Sequence, residues 1–155
     1  MKQEHFHSSI TANISAAEAV NNINRVADWW TNDFEGSASK LNDVFTIRFG
    51  TTFSTFTITE IIPGKKIVWL VNDCNLDFIQ EKKEWKGTEI VWEISTTGNS
   101  TQIDFTHVGL VPGIECYDNC VKGWTFYVTQ SLYKLITTGT GLPETPKQKI
   151  EAEVH

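Results

Sequence analysis

Alternating apolar and polar positions dominate the middle of the chain and predict a run of β-strands. The alternation is clearest in residues 84–96 and 101–108, where Ile90, Trp92 and Ile94, and then Ile103 and Phe105, share one face and the intervening residues are mostly polar. The strands that the pattern predicts are residues 6–14, 44–49, 53–62, 65–72, 84–96 and 101–108. Turn residues such as Pro63-Gly64 and Gly98-Asn99 separate them. One-sided alternation of this kind is typical of an antiparallel sheet with one covered face.

Helical patterns stand on both sides of this run of strands. Residues 15–18 (SAAE) have the form of a capping box, which predicts that a helix begins there, and Asn21 and Asn22 divide that helix into two short ones. Apolar residues recur at steps of three and four between residues 114 and 138, which predicts one long C-terminal helix. Polar residues 31–42 and the ambiguous residues 73–83 are predicted to be loops.

This order of elements predicts an α+β fold. A curved antiparallel sheet must bury its apolar face, and the long C-terminal helix is the only predicted element large enough to cover it. We therefore expect one domain, residues 1–139, in which the sheet wraps around that helix and two short helices follow the first strand. Residues 140–155 contain Gly, Pro and charged residues, and we expect them to form a flexible C-terminal tail.

The amino-acid composition of the chain excludes some classes of function. The chain has 155 residues, which fits one domain, and 13 Lys+Arg against 19 Asp+Glu give a net charge of −6. An acidic chain is a poor ligand for nucleic-acid phosphates, so we expect no nucleic-acid partner. The sequence shows neither a signal peptide nor an apolar stretch long enough to span a membrane, and three cysteines make a poor disulfide framework. We therefore expect a cytoplasmic protein.

Several segments carry a resemblance to a known family. They are residues 10–18 (ITANISAAE), 26–31 (VADWWT), 61–69 (IIPGKKIVW), 101–107 (TQIDFTH), 119–124 (NCVKGW) and 132–135 (LYKL). In this order the chain resembles the START-like, or SRPBCC, helix-grip superfamily, and most of all its group similar to the activator of heat-shock-protein-90 ATPase. The resemblance implies a helix-grip fold with a cavity between sheet and helix, which usually takes an apolar ligand. It implies no common catalytic residues.

The inward faces of the predicted strands and of the long helix converge on one space. The residues that we predict to bind a ligand there are Trp30, Phe49, Trp69, Trp92, Phe105, His107, Cys120 and Trp124. Aromatic residues make up 12% of the chain, and side chains of this size fill a core as readily as they line a cavity. The family resemblance favours the cavity.

His107 is the polar residue on an otherwise apolar strand face. It is a candidate for orienting a ligand or for acid–base chemistry near neutral pH. The alternative, which we favour, is a hydrogen-bonded core histidine, because no nucleophile and carboxylate pattern accompanies it. Cys116 and Cys120 lie on one face of the predicted helix, and we interpret them as small apolar residues rather than metal ligands. We expect no metal and no cofactor.

Three hypotheses about function follow. The first is a non-catalytic carrier or sensor that binds a small hydrophobic molecule, lipid-like or polyketide-like, in the cavity. The second is a small-molecule enzyme of the cyclase or hydrolase kind that uses His107. The third rests on the resemblance alone and is a co-chaperone-like module that stimulates a chaperone ATPase. The expected partner is thus a small hydrophobic molecule, with a chaperone as the alternative.

Overall fold

An antiparallel sheet forms the frame of the protein. The structure is a computed structural model and describes residues 5–144; within them, seven strands form one curved, open sheet in the order β1-β7-β6-β5-β4-β3-β2. The strands are β1 (Phe6–Ala12), β2 (Phe34–Gly36), β3 (Val44–Phe49), β4 (Thr52–Ile62), β5 (Lys66–Asn75), β6 (Glu89–Thr97) and β7 (Ser100–Val108). Strands β2 to β7 follow one another along the chain, and β1 pairs with β7 at the edge opposite β2.

Two groups of helices complete the fold. They are α1 (Ala16–Asn24), α2 (Val26–Trp29), α3 (Tyr117–Phe126), a π-helical segment (Tyr127–Leu132) and α4 (Tyr133–Thr138). The capping box is confirmed, because the Ser15 hydroxyl accepts the Glu18 backbone N–H and the Glu18 carboxylate accepts the Ser15 backbone N–H, both at 3.1 Å. The break between α1 and α2 lies at Arg25 rather than at Asn21 and Asn22.

The C-terminal helix lies on the inward face of the sheet, as the helix-grip prediction requires. Its apolar stripe is buried, with Trp124, Val128, Leu132 and Leu135 each at most 2% exposed. The inward residues of β6 and β7 are buried against it, and the ring of Phe105 contacts that of Trp124 at 4.5 Å between centroids. The α+β helix-grip fold is therefore confirmed.

Some element boundaries differ from the sequence prediction. The predicted loop 31–42 contains β2, a three-residue edge strand whose partner is β3, so its own residues carry little local signal. The long helix begins at Tyr117 and not at residue 114, and its middle turns are π-helical. Strand β6 begins only at Glu89, because turns occupy the residues that precede it.

The predicted tail begins as an ordered segment. Gly139 ends α4 in the left-handed conformation (φ 87°), as is common at helix C-termini. Further along, the Leu142 backbone N–H donates to the Ser131 hydroxyl at 2.8 Å, and the Glu144 backbone N–H donates to the Trp30 carbonyl at 2.9 Å. The domain boundary at residue 139 stays a prediction, and residues 145–155 of the predicted tail lie outside the described residues.

No helix within residues 5–144 has the length and apolar content needed to cross a membrane.

Candidate functional site

A cavity opens between the C-terminal helix and the β3–β4 hairpin. Its volume is about 370 Å³, near the lower end of the range of about 300–1,000 Å³ that is usual for small-molecule pockets. The lining residues come from the end of α2, from β3 and β4, from the segment before β6, from α3 and from the π-helical segment. They are Trp30, Ile47, Phe49, Thr52, Ser54, Leu76, Asp77, Phe78, Trp85, Asn119, Cys120, Gly123, Trp124 and Tyr127.

Aromatic rings form much of the cavity wall. Trp30 and Trp124 contact each other with centroids 4.7 Å apart, and Trp85 stacks on Trp124 at 5.7 Å with 9° between the ring planes. Phe49 lies 6.3 Å from Trp30 and 6.0 Å from Tyr127, again between centroids. Large apolar rings of this kind stabilise a ligand mainly by removing its apolar surface from water.

One face of the C-terminal helix meets the cavity. Cys120, Gly123, Trp124 and Tyr127 follow the three-and-four spacing of a single helix face. A Cβ atom added at Gly123 would meet nothing within 4 Å. A glycine inside a helix is less favourable than alanine by about 1 kcal/mol, and no neighbouring atom requires a glycine at this position. The structural effect of Gly123 is therefore to leave open space beside the cavity.

The predicted ligand-binding residues fall into two groups of four. Trp30, Phe49, Cys120 and Trp124 line the cavity. The others do not line it but lie in the packed core; they are Trp69, Trp92, Phe105 and His107, each 0% exposed. Trp92 contacts both Trp69 and Phe105 through edge-on ring packing. Alternation puts the strand residues of both groups on the inward side of the sheet, Phe49 in the first group and all four residues of the second, so it does not separate cavity wall from core.

Several lining residues were not predicted from the sequence. Leu76, Phe78 and Trp85 belong to the segment between β5 and β6, and the sequence of this segment shows no periodic pattern of apolar residues. Two other residues did have a readable signal. Ser54 is a small polar residue directly before the inward apolar residues Phe56 and Ile58, and Gly123 is a glycine in the interior of the long helix.

His107 is a core histidine whose ring nitrogens are both hydrogen-bonded. The Trp124 indole N–H donates to Nδ1 at 3.0 Å. The proton of the neutral ring therefore resides on Nε2, which donates to the Thr88 hydroxyl at 2.9 Å. Burial, with a smaller contribution from His5, lowers the pKa of His107 to about 3, so the ring is neutral at physiological pH. This position removes the geometric basis for acid–base chemistry by His107 in the cavity.

Two glutamates join the segment before β6 to the start of the C-terminal helix. The Glu84 carboxylate accepts the backbone N–H groups of Glu115 and Cys116, both at 2.8 Å. In return, the Glu115 carboxylate accepts the backbone N–H groups of Gln80 and Glu81 at 2.8 and 2.9 Å. These bonds hold the pKa of Glu115 below its usual value. We call residues 76–88 the flap, because the two glutamates hold this segment over one side of the cavity.

The cavity wall is weakly polar and lacks positive charge. None of the described residues that line it is Lys, Arg or His. The Asp77 carboxylate accepts hydrogen bonds from the Thr51 and Thr52 hydroxyls at the exposed side of the cavity. Burial and the nearby Glu144 raise the pKa of Tyr127 to about 12, so its phenol stays protonated. An anionic ligand would thus find no counter-charge on this wall.

The three cysteines are buried side chains of the core. All three are free and buried, and the Trp85 indole N–H donates to Cys116 Sγ at 3.4 Å. A hydrogen bond with Cys120, together with burial, raises the pKa of Cys116 above its ordinary value. Across the part of the chain that the structure describes, no three His, Cys, Asp or Glu side chains converge to hold a metal ion.

A curved sheet that grips a C-terminal helix, with an apolar cavity between the two, defines a START-like helix-grip protein. Sequence comparison gives the family within this class. The profile of the Activator of Hsp90 ATPase homolog 1-like proteins matches residues 18–137, and the chain belongs to this family. No curated protein sequence matches the chain significantly.

Solved structures agree with this assignment. The Aha1 dimer from Colwellia psychrerythraea has a TM-score of 0.72 and 25% identity, over 89% of this chain and 99% of that chain. The protein MLL2253 from Mesorhizobium loti has a TM-score of 0.64 and 12% identity, over 88% and 100%. DynU16, a protein from the dynemicin biosynthetic locus, also reaches 0.64, with 14% identity, over 90% and 49%. The last two likenesses show the fold alone.

Proposed function

We propose that the protein binds a small hydrophobic molecule in the cavity between the sheet and the C-terminal helix, as a non-catalytic carrier or sensor. The observation that carries the proposal is the cavity of about 370 Å³ with a wall of aromatic rings. The cavity opens to the surface, and concave, largely apolar pockets of this size are the usual binding sites of small molecules. An apolar ligand bound there would remove the aromatic wall from water.

Gly123 supports the same proposal. Alanine at this helix position would meet no atom within 4 Å and would favour the helix by about 1 kcal/mol. Neither packing nor backbone conformation therefore accounts for the glycine. A small residue at this position leaves space for a ligand beside the helix, because a side chain larger than that of alanine would enter the cavity.

The test is binding of the neutral fluorescent probe N-phenyl-1-naphthylamine. We expect the wild-type protein to show saturable binding, and a Gly123→Leu variant, whose added side chain fills the cavity, to bind about tenfold more weakly or worse. Gly123→Ala adds only one methyl group and serves as the matched control that keeps binding. Circular dichroism checks that all three proteins are folded.

Two results would count against the proposal. One is the absence of saturable probe binding by the wild-type protein. The other is equal binding by the wild-type protein and a folded Gly123→Leu variant, which would put the probe elsewhere on the surface. Native mass spectrometry of the protein as purified complements the assay, because a mass that dissociates on denaturation gives the chemical class of a natural ligand.

Family membership favours a second candidate, a co-chaperone-like module that acts on a chaperone ATPase. The matched family is described by its likeness to an activator of the Hsp90 ATPase. A pull-down with the Hsp90 of the same cell and an assay of its ATPase rate test this function directly. Binding together with a raised rate would support it, and the absence of both would exclude it.

A further inference from the structure

Ser54 holds an unusual position in the cavity wall. It lies on the inward face of β4, in the series that continues with Phe56 and Ile58, and it is 1% exposed. Its neighbours across the sheet are Ile47 on β3 and Cys74 on β5. A hydroxyl thus occupies a place in the wall where the surrounding pattern calls for an apolar side chain.

The Ser54 hydroxyl has no hydrogen-bond partner among the described residues. Residues 5–144 contain four buried Ser or Thr side chains, and the other three each donate to a backbone carbonyl: Thr31 to Arg48, Thr101 to Ile14 and Ser131 to Trp29. Ser54 alone among these four lines the cavity. Since buried polar groups are almost always paired, the cavity is the place where its missing partner belongs.

The charge of the wall restricts that partner. The described lining residues include neither Lys, Arg nor His, and the carboxylate of Asp77 stands at the exposed side. An anionic group placed beside Ser54 would be buried without a counter-charge, which is strongly unfavourable. A neutral hydroxyl or carbonyl oxygen needs no counter-charge and pairs with a serine hydroxyl, which both donates and accepts.

We propose that Ser54 is the polar anchor of the cavity and selects an uncharged apolar molecule that carries a hydroxyl or carbonyl oxygen at its buried end. Fatty carboxylates and phosphate esters are rejected. The hydroxyl turns about the Cα–Cβ bond between staggered positions, so it reaches such an oxygen without a change in the backbone. This inference rests on the proposed function, because it specifies the ligand of the same cavity.

The test compares three probes that share one ring system: naphthalene, 2-naphthol and the 2-naphthoate anion. Their affinities are measured by displacement of N-phenyl-1-naphthylamine. We expect the wild-type protein to bind 2-naphthol about tenfold more tightly than naphthalene, as one neutral hydrogen bond allows. It should bind 2-naphthoate most weakly. Ser54→Ala should remove the preference for 2-naphthol and leave naphthalene affinity unchanged, while the matched surface variant Ser95→Ala keeps the wild-type preference.

Thermal unfolding gives a second, independent readout. Ser54→Ala removes an unpaired buried hydroxyl and should leave the melting temperature equal or higher. Ser131→Ala removes a buried hydroxyl with two partners, the Trp29 carbonyl and the Leu142 backbone N–H, and should lower it. A marked loss of stability in Ser54→Ala would show that the Ser54 hydroxyl is paired within the folded protein and would overturn the inference.

The binding outcomes separate this inference from the proposed function. If naphthalene and 2-naphthol bind the wild-type protein equally, or if Ser54→Ala keeps the preference, the role of Ser54 is wrong and the hydrophobic-ligand function stands. Tightest binding of 2-naphthoate would also overturn the inference while leaving that function in place. If all three probes and N-phenyl-1-naphthylamine fail to bind, the proposed function falls and the inference falls with it.

Discussion

Acidification from pH 7 to pH 5 should destabilise the protein through His107. The ring is buried, accepts the Trp124 indole N–H and is neutral in the folded state, with a pKa of about 3. In the unfolded chain the same ring has its ordinary pKa near 6.5. Between these two values the unfolded state binds a proton that the folded state does not bind. The free energy of unfolding therefore falls as the pH falls through this window.

The size of the effect follows from the two pKa values. At pH 7 the unfolded ring is mostly neutral, so the group contributes little difference between the two states. At pH 5 the unfolded ring is almost fully protonated, 1.5 pH units below its pKa, while the folded ring is still neutral. One pKa unit corresponds to about 1.4 kcal/mol, so the loss between pH 7 and pH 5 is about 2 kcal/mol.

Urea unfolding at both pH values measures this loss. The His107→Gln variant keeps a neutral donor and acceptor but does not titrate, and its free energy of unfolding should change little over the same interval. The His7→Gln variant removes an exposed histidine and serves as the control that retains the wild-type loss. A wild-type protein equally stable at pH 5 and pH 7 would refute the argument. So would an NMR titration in which the folded His107 ring protonates above pH 5.

Three further predictions concern the helices and the flap. Gly123→Ala should raise the free energy of unfolding by about 1 kcal/mol, because alanine favours the helix and its methyl group meets no atom. In calorimetry the melting temperature should rise by about 2–4 °C. A melting temperature below that of the wild-type protein would contradict the open space at this position. Ser15→Ala should lower the free energy of urea unfolding by about 1 kcal/mol through loss of the capping box, and an unchanged value would show that the cap contributes nothing. Glu115→Gln should speed amide hydrogen exchange across the flap, because the Glu115 carboxylate accepts two N–H groups of the flap. The control is Glu93→Gln, on the exposed side of β6, which should leave these exchange rates unchanged. Equal exchange rates in the two variants would argue against the role of Glu115.

The sequence predicts those parts of the fold that depend on residues close together in the chain. One-sided burial produces the alternation of β6 and β7, where Trp92 and Phe105 face inward as expected. The capping box marks the start of α1 within four residues of sequence. Strand β2 was missed because its pairing with β3 depends on residues about ten positions away, and three residues are too few for a periodic signal.

Only four of the eight predicted ligand-binding residues line the cavity, because sequence patterns report local structure and not the position of the cavity. Alternation tells which face of a strand a residue occupies, and it separates inward from outward correctly for Phe49 and Trp69 alike. It does not tell how far along the strand the helix packs closely and where it leaves space. That depends on the flap, whose place is set by hydrogen bonds of Glu84 and Glu115 to backbone groups more than 30 residues away.

The arrangement of the tryptophan rings affects the fluorescence of the protein. All six belong to one continuous set of ring contacts, which runs from Trp85 through Trp124, Trp30 and Trp29 to Trp92 and Trp69, with neighbouring centroids 4.7 to 5.8 Å apart. At such separations indole rings exchange excitation energy, so light absorbed by one ring is emitted in part by others. A molecule that quenches Trp124 in the cavity should therefore dim the emission of the whole protein, including that of rings it never touches.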